Sequence, residues 1–220
     1  MQTFFNLLKR EAKISLKNLS VIFSFSTFFV ISSLIFVFAV DDLTRIDDFY
    51  KPVVWVVLIF SMMLVSENFI QDDFNDGSLK ELQFLGFSEE MIIICKSIIM
   101  WVMIIIPTIF LMPIMLILFK LTFIDTSRLL LNIFFSTPSL TLISLLSALF
   151  SVQLKRNKII QFVIILPFFI PIIIFSSISE NLLDESKYFG DKFLILIGIF
   201  FITLPVCLHA GKLIMKEINK

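Results

Sequence analysis

Long uninterrupted apolar runs set the pattern of this chain. Met100–Leu118, for example, contains no charged side chain. A transmembrane barrel strand alternates apolar and polar residues at every second position, whereas here the apolar residues are contiguous. One helical crossing needs about 20 mostly apolar residues. Six stretches qualify, at about residues 19–40, 52–69, 97–119, 129–152, 159–178 and 193–209. The pattern therefore predicts an all-α, polytopic integral membrane protein with six transmembrane helices, in one domain covering residues 1–220. The first run exceeds the apolar core of about 7–15 residues found in a secretory signal. Phe38-Ala39-Val40-Asp41 is also a poor cleavage site, so this run is expected to stay as a span. Pro52 suits the first turn of the second span, where its missing amide hydrogen would have no partner anyway.

Residues 1–18 show a different period. At 100° per residue Phe4, Phe5, Leu8, Ala12, Leu16 and Leu19 fall within an arc of about 120°. Lys9, Arg10, Lys13 and Lys17 fall opposite them. This reads as an interfacial helix on the cytoplasmic leaflet, its cations near anionic head groups. A plain cytoplasmic extension of the first span is the alternative.

Composition removes the soluble classes. Hydrophobic residues make up 58% and charged residues 16% of the chain, against roughly 45–50% and about 25% in soluble domains. The mean hydropathy is +1.00. A soluble fold of this size would be left with large sticky patches. The 18 basic and 18 acidic residues cancel, so no attraction to nucleic acid follows. Charge does orient the spans. One set of connecting segments holds twelve Lys and Arg, from Lys9 to Lys220, and the other holds six: Arg45, Lys51, Lys120, Arg128, Lys187 and Lys192. The positive-inside rule then puts both termini in the cytoplasm. The two cysteines, Cys95 and Cys207, lie in or beside apolar runs and fit buried packing better than a disulfide.

The most informative stretch is the loop at 71–90 and its approach. Seven acidic residues occur between Glu67 and Glu90, among them Asp72, Asp73, Asp76 and Glu81. After Gly77, Ser78-Leu79-Lys80-Glu81 has the capping-box form, a serine with a glutamate three residues on. Leu79, Leu82 and Leu85 share one face of the short helix this predicts, and Gly86 is placed to end it. Ser88 with Glu89 and Glu90 forms a second cap, opening the third span. The short helix has an apolar face with no evident cover. It reads as a docking element for a cytoplasmic partner, or as a helix resting on the lipid interface. The carboxylates disfavour an anionic leaflet. Asp72, Asp73 and Asp76 lack the spaced ligands and distal glutamate of an EF-hand loop, so no metal site is expected.

Chemistry inside the membrane is sparse. Ion-coupled transporters and intramembrane enzymes usually carry ionisable residues in the middle of their spans, and the span centres here have none. Glu67 and Lys96 are expected near the cytoplasmic ends of their spans, within reach of water. The single histidine, His209, has no partner ligand in the sequence for holding haem. No nucleophile–base pair is visible, so no catalytic residue is assigned. None of the five glycines forms a phosphate-binding GxxxxGK[ST] loop, so energy for uphill transport would come from another subunit. All seven prolines lie in or beside spans. Pro167 and Pro171 are expected to break or bend the fifth. Pro138, Pro167 and Pro171 mark either a pathway or ordinary kinks.

Three blocks resemble the haem-exporter B subunit family of cytochrome c maturation, an ABC-transporter permease. They are Pro52-x-x-Trp55 through Glu67 to Asp72-Asp73-x-x-Asp76-Gly77-Ser78-Leu79-x-x-Leu82; Thr137-Pro138-x-Leu140; and Leu154-Lys155-Arg156 with Leu166-Pro167-x-x-Ile170-Pro171-x-x-Ile174-Phe175. The first is the most specific. The family's second glutamate after the serine-leucine pair is displaced here, Lys80 preceding Glu81. The resemblance implies a bacterial inner-membrane permease subunit working with a cytoplasmic ATP-binding subunit, which would dock on Asp72, Asp73, Asp76, Gly77, Ser78, Leu79, Glu81, Leu82 and Leu85. It also implies haem-handling membrane subunits as partners, with haem a transported or handled substrate and not a cofactor of this chain. A second copy of the chain is a further candidate partner. A secondary transporter and a non-transporting membrane scaffold are the readings from other classes.

Overall fold

A backbone inside a bilayer must satisfy its amides and carbonyls within its own segment, and a helix does this. The computed structural model describes residues 2–17, 19–39, 46–153, 159–177 and 188–218; the elements there are eight helices, with no strand among the described residues. They are α1 (Gln2–Lys17), α2 (Leu19–Ala39), α3 (Ile46–Asn75), α4 (Ser78–Phe84), α5 (Glu89–Leu118), α6 (Phe123–Gln153), α7 (Ile159–Ser177) and α8 (Tyr188–Ile218). Five of them, α2, α3, α5, α6 and α8, are long and apolar enough to cross a membrane. The fifth predicted span falls on α7, where the described side chains form the shorter apolar stretch Leu166–Ser176. The Leu154-Lys155-Arg156 block and the connections at 40–45 and 178–187 lie outside the described residues.

Several helices run past the limits set by hydropathy. α3 and α5 have 30 residues each, α6 and α8 have 31, which makes each about 45 Å long. The hydrocarbon core is about 30 Å thick, so each of these helices is longer than one straight crossing requires. One consequence corrects the expectation for Pro52: α3 starts at Ile46, and this proline sits inside the helix, not in its first turn. Nor do Pro167 and Pro171 break α7, which runs continuously through both. The cap at Ser88 forms as expected, its Oγ accepting from the Met91 amide at 3.4 Å. Thr122 caps α6 in the same manner, accepting from the Asp125 amide at 3.2 Å and donating to its carboxylate at 2.6 Å.

α6 lies at the centre, against α3, α5, α7 and α8. Its buried face is rich in small hydroxyl residues: Ser136, Thr137, Ser139, Thr141, Ser144 and Ser147. Without a hydrophobic force between helices in lipid, small side chains that let backbones approach hold such bundles together. The hydroxyls cost little because several bond their own helix, as Ser136 does to the Asn132 carbonyl at 2.7 Å and Thr141 to that of Pro138 at 2.9 Å. Thr137 does more. Pro138 cannot donate to the Phe134 carbonyl, and the Thr137 hydroxyl donates there instead at 3.4 Å. The same oxygen accepts from Trp101 Nε1 of α5 at 2.9 Å, so the threonine-proline pair repairs one helix while joining it to another.

Candidate functional site: the acidic loop and its buried lysine

The polar end of α3 leads directly into the loop. The Asp76 amide donates to the Asp72 carbonyl at 3.0 Å and the Gly77 amide to that of Phe74 at 3.2 Å, closing a tight turn. Gly77 takes φ 73°, in the left-handed region where an L side chain is strained. α4 therefore starts with Gly77 as its N-cap and no side-chain cap, which corrects the capping box read at Ser78. The Ser78 hydroxyl is committed elsewhere: it donates to the carbonyl and the carboxylate Oδ1 of Asp73, both at 3.1 Å. The other end is as expected. Gly86, at φ 83°, donates to the Gln83 carbonyl and the Phe87 amide to that of Leu82, the paired bonds of a Schellman ending.

The two leucines of α4 and the Leu85 at its C-cap separate. Leu79 and Leu82 are buried in the chain's own core, so the face read as lacking a cover is covered. Leu85 is 66% exposed, and beside it Phe84 is 87% exposed. The outward apolar tip of the loop is thus Phe84–Leu85, rimmed by the exposed Glu81.

Beneath α4 lies a charge network that the sequence pattern did not bring together. Lys96 of α5 is only 2% exposed, although its place in the sequence suggested access to water. Its ammonium pairs with Glu11 Oε2 of α1 at 2.8 Å and with Asp73 Oδ2 at the end of α3. It also lies over the Phe69 ring, 5.1 Å from the centroid. Glu11 is itself 3% exposed, and its other oxygen accepts from Arg10 at 2.8 Å. Arg10 reaches on towards Glu81 of α4, at 4.0 Å. Burying ions is costly unless each is paired and its remaining valences are met, and this chain of contacts meets that condition. Four helices, α1, α3, α4 and α5, are tied at one point. Glu11 had one signal in the sequence: it is the acidic residue among the cations of the first 18, placed next to the apolar arc.

Other residues fall into place around it. Asp72 and Asp76 share with Glu11, Asp73, Phe69 and Met103 the wall of a cavity of about 250 Å³. Among the described residues, no three His, Cys, Asp or Glu side chains gather in a way that could hold a metal ion. A second ion pair, Lys212–Glu90 at 2.6 Å, ties α8 to the start of α5. Pro138, Pro167 and Pro171 lie on α6 and α7, away from this network. His209 is exposed on α8, and Cys95 and Cys207 are buried free thiols.

A family model described as "CcmB protein" matches residues 2–216. The chain belongs to the CcmB protein family. Curated relatives agree. It is 27% identical over 175 residues to "Heme exporter protein B" of Haemophilus influenzae, covering 79% of each chain. It is 25% identical over 202 residues to the protein of that name in Bradyrhizobium diazoefficiens, covering 91% of each. With that of Pseudomonas aeruginosa the identity is 26% over 172 residues, 78% of this chain and 77% of the relative. The CcmB match takes in α1 as well as the spans, so Glu11, Lys96, Asp73 and α4 all lie within it.

Proposed function

We propose that this chain is the permease subunit of an ABC transporter complex serving haem export or haem delivery in c-type cytochrome biogenesis. A separate cytoplasmic subunit binds and hydrolyses ATP, and this chain is not itself a catalyst. Family membership and the relatives' printed name support the haem assignment. The complex sits in the bacterial inner membrane with both termini of this chain inside. α7 provides the sixth crossing, its 19 residues spanning about 28 Å. Haem is substrate here, either crossing the permease or carried by a partner released through the ATP cycle. Haem-handling membrane subunits, and a second permease copy, are the companions this reading expects.

One observation carries the link to an ATPase: a short helix clamped at its base presents Phe84 and Leu85 outward with an acidic rim. Leu79 and Leu82 fix the helix to the bundle from inside, so the docking anchors are Phe84 and Leu85. Removing a central apolar anchor costs a few kcal/mol, roughly a hundredfold in affinity. Phe84→Asp with Leu85→Asp is expected to abolish retention of the ATP-binding subunit in detergent pull-downs while the protein inserts normally. Leu82→Asp, by contrast, is expected to lower the amount of folded protein. If the Phe84/Leu85 double variant keeps the ATPase and supports cytochrome c assembly, α4 is not the coupling element.

A further inference from the structure

α1 shows three faces, and each meets a different medium. Leu7, Glu11 and Ser15 are buried against the bundle, with Phe4, Leu8 and Ala12 partly so. Phe5 and Leu16 are exposed, and at 100° per residue they lie about 120° from that buried face. Lys9 and Lys13 are exposed and lie next to Phe5 and Leu16, away from the buried face, and Lys17, in the last turn beside α2, is exposed as well. A single residue separates α1 from α2, which crosses the membrane, so the end of α1 lies at the bilayer surface. An exposed apolar strip beside an exposed cationic strip, at that level, complements an anionic lipid surface. The cations are not committed inward: Arg10 is the basic residue of this helix that pairs with Glu11.

From the buried side, α1 reaches the docking helix by two routes. Glu11 holds Lys96, which holds Asp73, whose carboxylate accepts from Ser78 in the first turn of α4. Arg10, gripping Glu11, points at Glu81. We propose that α1 binds anionic lipid through Lys9, Lys13 and Lys17 and that this binding steadies α4 through the buried Glu11–Lys96–Asp73 relay. The membrane's anionic lipid content thereby regulates how well ordered the docking helix is. A ligand shifts an element only as far as it prefers one of its states. Here the preferred state is α1 seated flat, with Glu11 delivered to Lys96.

The test reads α4 directly and needs no partner subunit, so its outcome is separate from that of the ATPase pull-down. The full-length protein is placed in nanodiscs of phosphatidylcholine alone or with added phosphatidylglycerol, and amide hydrogen exchange is followed in α4. In the wild type, phosphatidylglycerol is expected to slow exchange of the α4 amides about fivefold, the low end of ordinary coupling between two sites. Lys9→Gln/Lys13→Gln/Lys17→Gln changes only exposed side chains and is expected to abolish that response while leaving exchange in phosphatidylcholine unchanged. Glu11→Gln is expected to keep α1 protected by phosphatidylglycerol but to leave α4 indifferent to it. Exchange of wild-type α4 that ignores phosphatidylglycerol overturns the proposal. So does a full response in the triple lysine variant, which would mean that the lipid acts elsewhere. A Glu11→Gln protein whose α4 still responds removes the relay.

Discussion

At the scale of single residues, Lys96 decides most. It is a cation in a helix of a membrane protein, enclosed by two carboxylates and an aromatic ring. Breaking a buried pair by deleting one partner costs about 3–5 kcal/mol, because the remaining charge stays buried. Lys96→Met is accordingly expected to lower stability by about 3 kcal/mol, read as a fall in the thermal unfolding midpoint in detergent. Adding Glu11→Leu and Asp73→Leu to Lys96→Met is expected to recover much of that loss, since apolar side chains of similar size fit such a site as well or better. Local sequence rules had no access to this cluster. Glu11 and Lys96 are 85 positions apart, and their pairing leaves no periodic trace in either helix. What the sequence did show was an acidic residue out of place among the cations of α1.

At the scale of elements, the same motif had two different fates. Ser78-x-x-Glu81 and Thr122-x-x-Asp125 both match a serine or threonine followed three residues later by an acid. Thr122 became the cap of α6, whereas Ser78 became the first residue of α4 and turned to Asp73. The difference lies in the backbone: Gly77, in the left-handed region, takes the N-cap position, so Ser78 is already the first helical residue and its hydroxyl donates back to Asp73. The glycines at 77 and 86 and the Ser88 cap depend on neighbours in sequence, and of these Gly86 and Ser88 were legible in advance. Gly211 was not. It is buried in α8, and a Cβ there would come within 2.6 Å of Ile93 Cδ1 on α5. Because that atom ends a flexible side chain, Gly211→Ala is expected to be nearly neutral, a helix-propensity gain of about 1 kcal/mol offsetting the crowding. Gly211→Leu is expected to cost about 1–3 kcal/mol by overpacking, seen as reduced thermal stability and as loosening of the Lys212–Glu90 pair next to it.

At the scale of the whole molecule, the all-helical membrane class was plain from contiguous apolar runs alone, because no other medium tolerates them. The lengths were not, since hydropathy registers where lipid ends and a helix does not stop there. The proposed orientation rests on the charges in the connecting segments. With Cys95 and Cys207 replaced, single cysteines at Ser88 and Lys220 are expected to resist an impermeant thiol reagent applied outside intact cells, and one at Glu185 to react. Labelling at Ser88 from outside would reverse the topology and remove α4 from the cytoplasm. The placement of prolines along the two helices that carry α4 has a mechanical consequence. In α3 the proline is Pro52, 23 residues or about 35 Å from Asn75; in α5 the first is Pro107, 18 residues or about 27 Å from Glu89. Between α4 and those points no proline interrupts either helix. Bending compliance is therefore concentrated towards the ends of the two helices remote from α4. Under the proposed coupling role, a thrust received at α4 would travel through two stiff struts and be converted to flexure at their opposite ends.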